Sequence, residues 1–367
     1  MLPRLDCRYY KGEKPCSFKR VCDGCPQYEP MGIRVLILKL GAMGDALRTT
    51  PILTAYRRKY QRIFITWVTD RESFPILKNN PLIDRLLIND PIQTLPLLSQ
   101  EFDIMICLDK DPSVTALAMQ VQARERFGFA MSPYGTPDVF NDASLYALRL
   151  GVDDYLKFFE NTKTYQQIIY EMAELPANRD PYVFALQTDD RIAAHHIIET
   201  LSPQGNGPRI GLNTGCGTVF ATKKWPMNHF VQLARLIRQH VDGQVFLLGG
   251  PGEEQENRAI TDILGPAVTF PGIHPLGIFA GLLGEMDAIV TSDTMALHLG
   301  LAVGSQVIGL FGPTCAQEID FYGKGEPVVV TCDCSPCYRK TCKLPESCMT
   351  NITPEHVMDV LETYLKQ

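Results

Sequence analysis

The chain has 367 residues, 45% hydrophobic and 21% charged, with a net charge of -6. That length fits two ordinary domains better than one, and the charged fraction excludes a disordered chain. The acidic balance excludes a general nucleic-acid binder, which needs clustered Lys and Arg against phosphate.

The start, MLPRLDCRYYKGEKPC, has no apolar stretch of the signal-peptide kind. No segment has the apolar length of a membrane span, so a cytoplasmic location is expected. Disulfides are disfavoured there, and clustered thiols among the twelve cysteines lean toward metal. Cys107, Cys216 and Cys315 are scattered, and the other nine fall in two clusters, 7–25 and 332–348. In the first cluster Cys7, Cys16, Cys22 and Cys25 are spaced C-x8-C-x5-C-x2-C. Four thiols closing with C-x-x-C can make a tetrahedral site for structural zinc, with an iron–sulfur cluster or free thiols as alternatives.

From residue 33 onward, strand and helix patterns alternate. Continuous apolar, β-branched runs appear at 33–40, 63–68, 103–108, 209–213, 244–250, 287–291 and 306–312, as expected of parallel strands buried on both faces. The first run leads into LKLGAMGDALRTTP (38–51). Gly41 and Gly44 let the backbone turn sharply and approach a ligand. Asp45 then stands near a helix start at the carboxyl end of a strand, either as an N-cap or as a functional carboxylate. The spacing is not GxGxxG, so a dinucleotide fingerprint is not supported.

LSPQGNGPR (201–209) is the best linker candidate. The strand beyond it opens LNTGCGTVFATKKWPMNHF (212–230). Here Thr214, with the small residues after it, can cradle phosphate, and Lys223 and Lys224 add positive charge beside an amphipathic helix expected over 227–241. The alternative is a solvated lysine pair with Trp225 in the core. In LLGGPGEEQE (247–256), Glu253 can bind a ribose hydroxyl pair or simply complement a helix dipole. In VTSDTMALHLGLAVG (290–304), Asp293 and Thr294 open a helix whose N–H groups suit phosphate, and His298 lies one turn deeper. Asp293 can equally be a plain cap and His298 a core histidine.

Five further cysteines follow, Cys332, Cys334, Cys337, Cys342 and Cys348. They form a loop staple or a second metal site, with one thiol too many for four ligands. The last helix, expected over 354–366, starts with Pro354 after Thr353, a cap followed by proline at the first helical position.

Together the GAMGD turn, the KKWP segment, the LLGGP turn and the SDTMALHLGLAVG…LFGPT block resemble glycosyltransferase family 9, the ADP-heptose:lipopolysaccharide heptosyltransferases, over residues 33–366. The resemblance implies an α/β GT-B fold, two Rossmann-like doubly wound domains facing a central cleft. The expected division is a Cys-rich segment 1–30, an acceptor domain 31–200, a nucleotide-sugar domain 208–331, and a Cys-rich loop with a C-terminal helix 332–367 that crosses back onto the first domain. It implies inverting transfer of a heptose from ADP-heptose to a lipid-linked glycan, with no cofactor needed for catalysis and peripheral contact with the inner membrane. By the same resemblance Asp45 is the general base, Lys223 holds the donor phosphates, Glu253 contacts the nucleoside, and Asp293, Thr294 and His298 form the donor-binding D-T-x-x-x-H element. Met295 stands where family members often carry Gly, and it would reshape the sugar pocket. Two other readings stay open: a GT-B sugar-nucleotide epimerase, and a non-catalytic metal-binding or redox-sensing protein on a transferase scaffold.

Overall fold

The computed structural model describes residues 3–12, 15–202, 207–217, 220–330, 332–344 and 346–365. Residues 203–206 of the candidate linker, Thr218 and Val219 of the hydroxyl-rich loop, and Lys366 of the expected last helix lie outside the described residues.

The chain forms two compact units. The first comprises Met1–Ala42, Thr49–Asp153 and Gln167–Asp180; the second comprises Met43–Arg48, Asp154–Gln166 and Pro181–Gln367. Neither unit is one continuous stretch of chain.

The first unit holds β1 (Ile33–Leu38), β2 (Ile63–Thr69), β3 (Arg85–Ile88), β4 (Glu101–Cys107), β5 (Gln122–Met131) and β6 (Pro137–Val139). Their order is β3-β2-β1-β4-β5-β6, parallel throughout except for the β5–β6 pair. The second unit holds β7 (Arg209–Asn213), β8 (Gln244–Leu248), β9 (Val268–Thr269), β10 (Ala288–Ser292), β11 (Gln306–Phe311) and β12 (Gly325–Val329). Their order is β12-β11-β10-β7-β8-β9, all parallel. Both sheets are thus doubly wound, with the strand order reversing beside β1 in one and β7 in the other. Ligands of such sheets bind outside the carboxyl ends of the strands at that reversal.

The seven apolar runs of the sequence are strands of the two sheets, and each has two strand neighbours. Burial on both faces requires such continuous apolar sequence. The helix α1 (Met43–Thr49) follows β1. In the second unit, α2 (Met227–His240), α3 (Glu254–Leu264), α4 (Met295–Val303) and α5 (Pro354–Leu365) accompany the strands. Thr353 Oγ1 accepts from His356 N at 3.3 Å, so the expected cap is made.

The expectation that the last helix crosses back onto the first half is corrected. Val357, Met358 and Leu361 of α5 join the second unit's own core with Trp225 and Phe230, and the Trp225 indole N–H donates to Ile352 O at 2.9 Å. The apolar face of α5 is satisfied there, each large side chain gaining roughly 1.5–3 kcal/mol on burial. Among the described residues no helix is long and apolar enough to cross a membrane.

Gly128 in β5 has φ +85°, and a Cβ there would lie 2.0 Å from the Cys107 carbonyl oxygen of β4. Gly128→Ala must therefore both strain the backbone and push two paired strands apart. We expect it to destabilise the first unit by at least about 2 kcal/mol. Trp67 and Trp225 are the two tryptophans, both fully buried, one per unit. Urea unfolding followed by Trp67 fluorescence in a Trp225→Phe background checks this; an unshifted midpoint would show that β4 and β5 tolerate the methyl group.

Candidate functional site

The second unit gathers the motif residues at the carboxyl ends of β7 and β10, beside the strand-order reversal. Asn213, the last residue of β7, is buried; its Nδ2 donates to Thr291 Oγ1 at 3.0 Å and to Gly215 O at 3.1 Å. One side chain thus ties the loop after β7 to the end of β10. Thr291 Oγ1 lies 3.2 Å from Thr294 Oγ1, and Thr294 Oγ1 accepts from Ala296 N at 3.2 Å, capping α4. The cap is therefore Thr294 rather than Asp293. Asp293 precedes it and pairs with Lys223, whose Nζ lies 3.6 Å from Asp293 Oδ2 and donates to the Asp293 carbonyl.

Thr214 is buried, and its hydroxyl donates to Asn257 Oδ1 at 2.7 Å, fixing the loop to α3. Glu253 Oε2 accepts from Gly250 N at 2.9 Å. Glu253 also stands over Gly215 so closely that a Cβ there would lie 3.0 Å from its carboxyl carbon. Lys224 pairs with Glu256. Cys216 lies among these charges; burial pushes its thiol up, Lys224 and Lys223 act to lower it, and Glu253 and Glu256 to raise it.

Asp45 lies in the first turn of α1, within the segment that belongs to the second unit. It is not the N-cap. Arg48 Nε, one turn on, lies 2.9 Å from Asp45 Oδ1, a close ion pair whose N–H is not aligned as a hydrogen bond. Arg48 is mostly buried; its guanidinium stacks 3.9 Å from the Tyr165 ring and reaches Glu318 at 4.0 Å. Burial works against the charge of Arg48, but Asp45 and Glu318 outweigh it and hold the pKa above its ordinary value. Lys157 continues the row at 3.9 Å from Glu318.

His298 is where these groups meet. A Cβ on Gly44 would lie 2.8 Å from His298 Cδ2, so the small residue beside Asp45 is what lets α1 rest on α4. His298 Nδ1 is 3.4 Å from the hydroxyl of Tyr182, which also accepts from Gln166 Nε2 at 2.9 Å. Burial first, and then the charge of Arg48, push His298 down to about 4, against the opposing pull of Asp293 and Asp45. Its imidazole is neutral at neutral pH and able to accept or donate one hydrogen bond.

Asp45, Lys223, Asp293, Thr294 and His298 therefore share one unit and one neighbourhood, with Thr214 and Glu253 at its β7–β8 side. Gly41 lies in the first unit, where a Cβ would meet Asp70 Oδ2 at 2.5 Å. Sequence reading missed Arg48, Asn213, Tyr182 and Glu318. Arg48 was findable, three residues beyond Asp45 on one helix face. Tyr182 was not, since 173–187 contains no regular element. In the second cysteine cluster, Cys332 Sγ is 3.6 Å from Cys334 Sγ. Burial, with the four other thiols nearby, pushes Cys348 up to about 11.

A model of the family described as "Glycosyltransferase family 9 (heptosyltransferase)" matches residues 95–347. Lipopolysaccharide heptosyltransferase 1 of Escherichia coli (strain K12) is 23% identical over 346 residues, spanning 90% of this chain and 100% of that protein. Among solved structures, a glycosyl transferase of family 9 from Veillonella parvula DSM 2008 superposes with TM-score 0.70 at 19% identity, covering 91% of this chain and 97% of its own. E. coli ADP-heptose lps heptosyltransferase II superposes with TM-score 0.65 at 16% identity, covering 91% and 99%. The fold is accordingly GT-B, with two Rossmann-like units.

The depressed His298 pKa carries a pH signature. The folded state binds fewer protons than the unfolded state between about 4 and the ordinary 6.5. Stability is therefore intact above pH 6.5 and falls as the pH drops through that window, by at most ~1.4 kcal/mol per pH unit. His298→Asn should remove this component, giving a shallower loss of stability in urea titrations at pH 7.5, 6 and 5. Parallel slopes for wild type and variant would show that His298 titrates normally.

Proposed function

This chain belongs to glycosyltransferase family 9, and we propose that it moves a heptose, with inversion, from an ADP-sugar donor to a lipopolysaccharide core-type acceptor. The observation that carries this reading is the single neighbourhood in which His298 lies against the helix of Asp45 and within electrostatic reach of Lys223 and Asp293. The relatives' names, a lipopolysaccharide heptosyltransferase and an ADP-heptose lps heptosyltransferase, support the donor and acceptor classes. Family membership also weighs against the epimerase and the non-catalytic readings.

The chemistry is a single displacement. The acceptor hydroxyl attacks the anomeric carbon while the Asp45 carboxylate takes its proton. The bond from that carbon to the donor diphosphate breaks, and its electron pair leaves with the diphosphate. The Arg48 guanidinium lies against Asp45 and is suited to supply its counter-charge. Negative charge builds on the leaving group, and Lys223 with the Thr294-capped start of α4 is suited to neutralise it. On this reading the protein needs no metal for catalysis. Neutral His298 supplies a hydrogen bond without adding a second buried cation beside Arg48, and Glu253 is suited to the nucleoside end of the donor. A lipid-linked acceptor would place the protein at the inner membrane as a peripheral visitor.

Asp45→Ala should lower kcat by roughly 10²–10⁴-fold, the usual worth of a general base, while ADP affinity measured by calorimetry stays near the wild-type value. The assay is transfer from ADP-heptose to a core-type acceptor with purified protein, other nucleotide sugars serving as comparison donors. A variant that keeps wild-type turnover would remove Asp45 from the reaction. Lys223→Ala should instead weaken ADP binding about tenfold or more, since a charge-assisted contact to phosphate is lost. Equal affinity in that variant would place the diphosphate elsewhere.

A further inference from the structure

The cysteine-rich start of the chain holds none of the candidate site residues; it belongs to the unit without Asp45 and lies outside the matched family region. Among its described residues regular structure is limited to one β-bridge, Cys7 to Pro30. Its two ends are nevertheless closed on each other. Arg8 N donates to Glu29 O at 2.9 Å, Met31 N to Asp6 O at 2.9 Å, and Tyr9 Oη to Glu29 Oε2 at 2.9 Å. Arg8 also pairs with Asp84, anchoring the closed loop to the body of the unit.

Apolar burial cannot explain why this loop is ordered. Leu5 is 69% exposed, Val21 65% and Phe18 40%. Fixing a residue costs about 1–2 kcal/mol of backbone entropy, and short segments without a core depend on a staple. No disulfide supplies one, for Cys7, Cys16, Cys22 and Cys25 are all free thiols and all partly buried. The four line one cavity of about 100 Å³, together with Tyr9 and Phe18. Backbone turns begin at two of the four cysteines. Cys25 N donates to Cys22 O at 3.3 Å and Lys19 N to Cys16 O at 2.9 Å.

We propose that Cys7, Cys16, Cys22 and Cys25 bind one zinc ion as a four-thiolate structural site. Among the described residues no three His, Cys, Asp or Glu side chains are already gathered as ligands, so binding draws the four sulfurs inward from the cavity wall. Each thiol gives its proton to solvent as its sulfur–metal bond forms, four in all, and the ion gains a tetrahedral soft-ligand shell. The bound ion then closes a segment whose side chains cannot.

The test uses the full-length chain purified anaerobically under reducing conditions, with metal content read by plasma mass spectrometry. Wild type should carry zinc, and Cys22→Ser/Cys25→Ser should lose about one equivalent per chain. Cys332→Ser/Cys334→Ser, in the other cluster, should keep it. Cobalt(II) added to the stripped protein should give tetrahedral thiolate–cobalt bands that vanish in the first variant and persist in the second. Should Cys22→Ser/Cys25→Ser fail to fold, limited proteolysis of wild type replaces it. Chelator should open residues 3–32 to cleavage, and zinc but not magnesium should close them. Metal-free wild-type protein, zinc content indifferent to the Cys22/Cys25 change, iron and sulfide in place of zinc, or proteolysis indifferent to chelator would each overturn the proposal.

Discussion

The candidate site depends on keeping the Arg48 guanidinium charged in a mostly buried position. Two unit charges 4 Å apart interact by about 4 kcal/mol at the dielectric of a partly buried pair. Arg48 has two such partners, Asp45 at 2.9 Å and Glu318 at 4.0 Å, and an aromatic face on Tyr165. Those contacts offset the loss of water around the guanidinium. The same charge acts on its neighbours: after burial, it is the next cause that disfavours an imidazolium at His298, and it stands as the counter-charge of Asp45.

Hydroxyls and amides tie the carboxyl ends of β7 and β10 together, with an ion pair beside them. Asn213 bridges the ends of β7 and β10, Thr291 hands that order to Thr294, and Thr294 caps α4. Lys223 is then anchored through Asp293, the residue just before the cap. Rigid polar scaffolding of this kind suits a diphosphate, because donors already in place need no reorganisation when charge develops.

Sequence patterns revealed the middle of each sheet and hid the margins. β1, β2, β4, β7, β8, β10 and β11 read as continuous apolar runs because neighbours cover them on both sides. β3, β6, β9 and β12 are short edge strands without that demand. β5 escaped for a related reason: β6 pairs only with Phe129–Met131, so its first half, Gln-Ala-Arg-Glu-Arg, is exposed or half-buried and reads as polar chain. At the site, Asp45, Lys223, Asp293, Thr294 and His298 were legible because they sit in glycine- and hydroxyl-rich turns after strands. Tyr182 and Glu318 were silent, since their roles come from tertiary packing that no local period records. The packing of α5 was misjudged for the same reason. An amphipathic helix announces an apolar face without saying which core receives it.

Met43–Arg48 and Asp154–Gln166 belong to the second unit although they precede the candidate linker by more than a domain's worth of chain or stand well ahead of it. A gene cut at that linker would yield a fragment bearing Lys223, Asp293, Thr294 and His298 but stripped of Asp45, Arg48, Tyr165 and Tyr182. Such a fragment would keep the Asn213–Thr291–Thr294 network while leaving His298 without Tyr182 and Arg48, and Asp45 on the other piece. Chimeras that exchange halves between relatives must therefore carry both early segments and the stretch from Pro181 to the linker with the later half, or Asp45 and Arg48 of one protein will meet His298 of another.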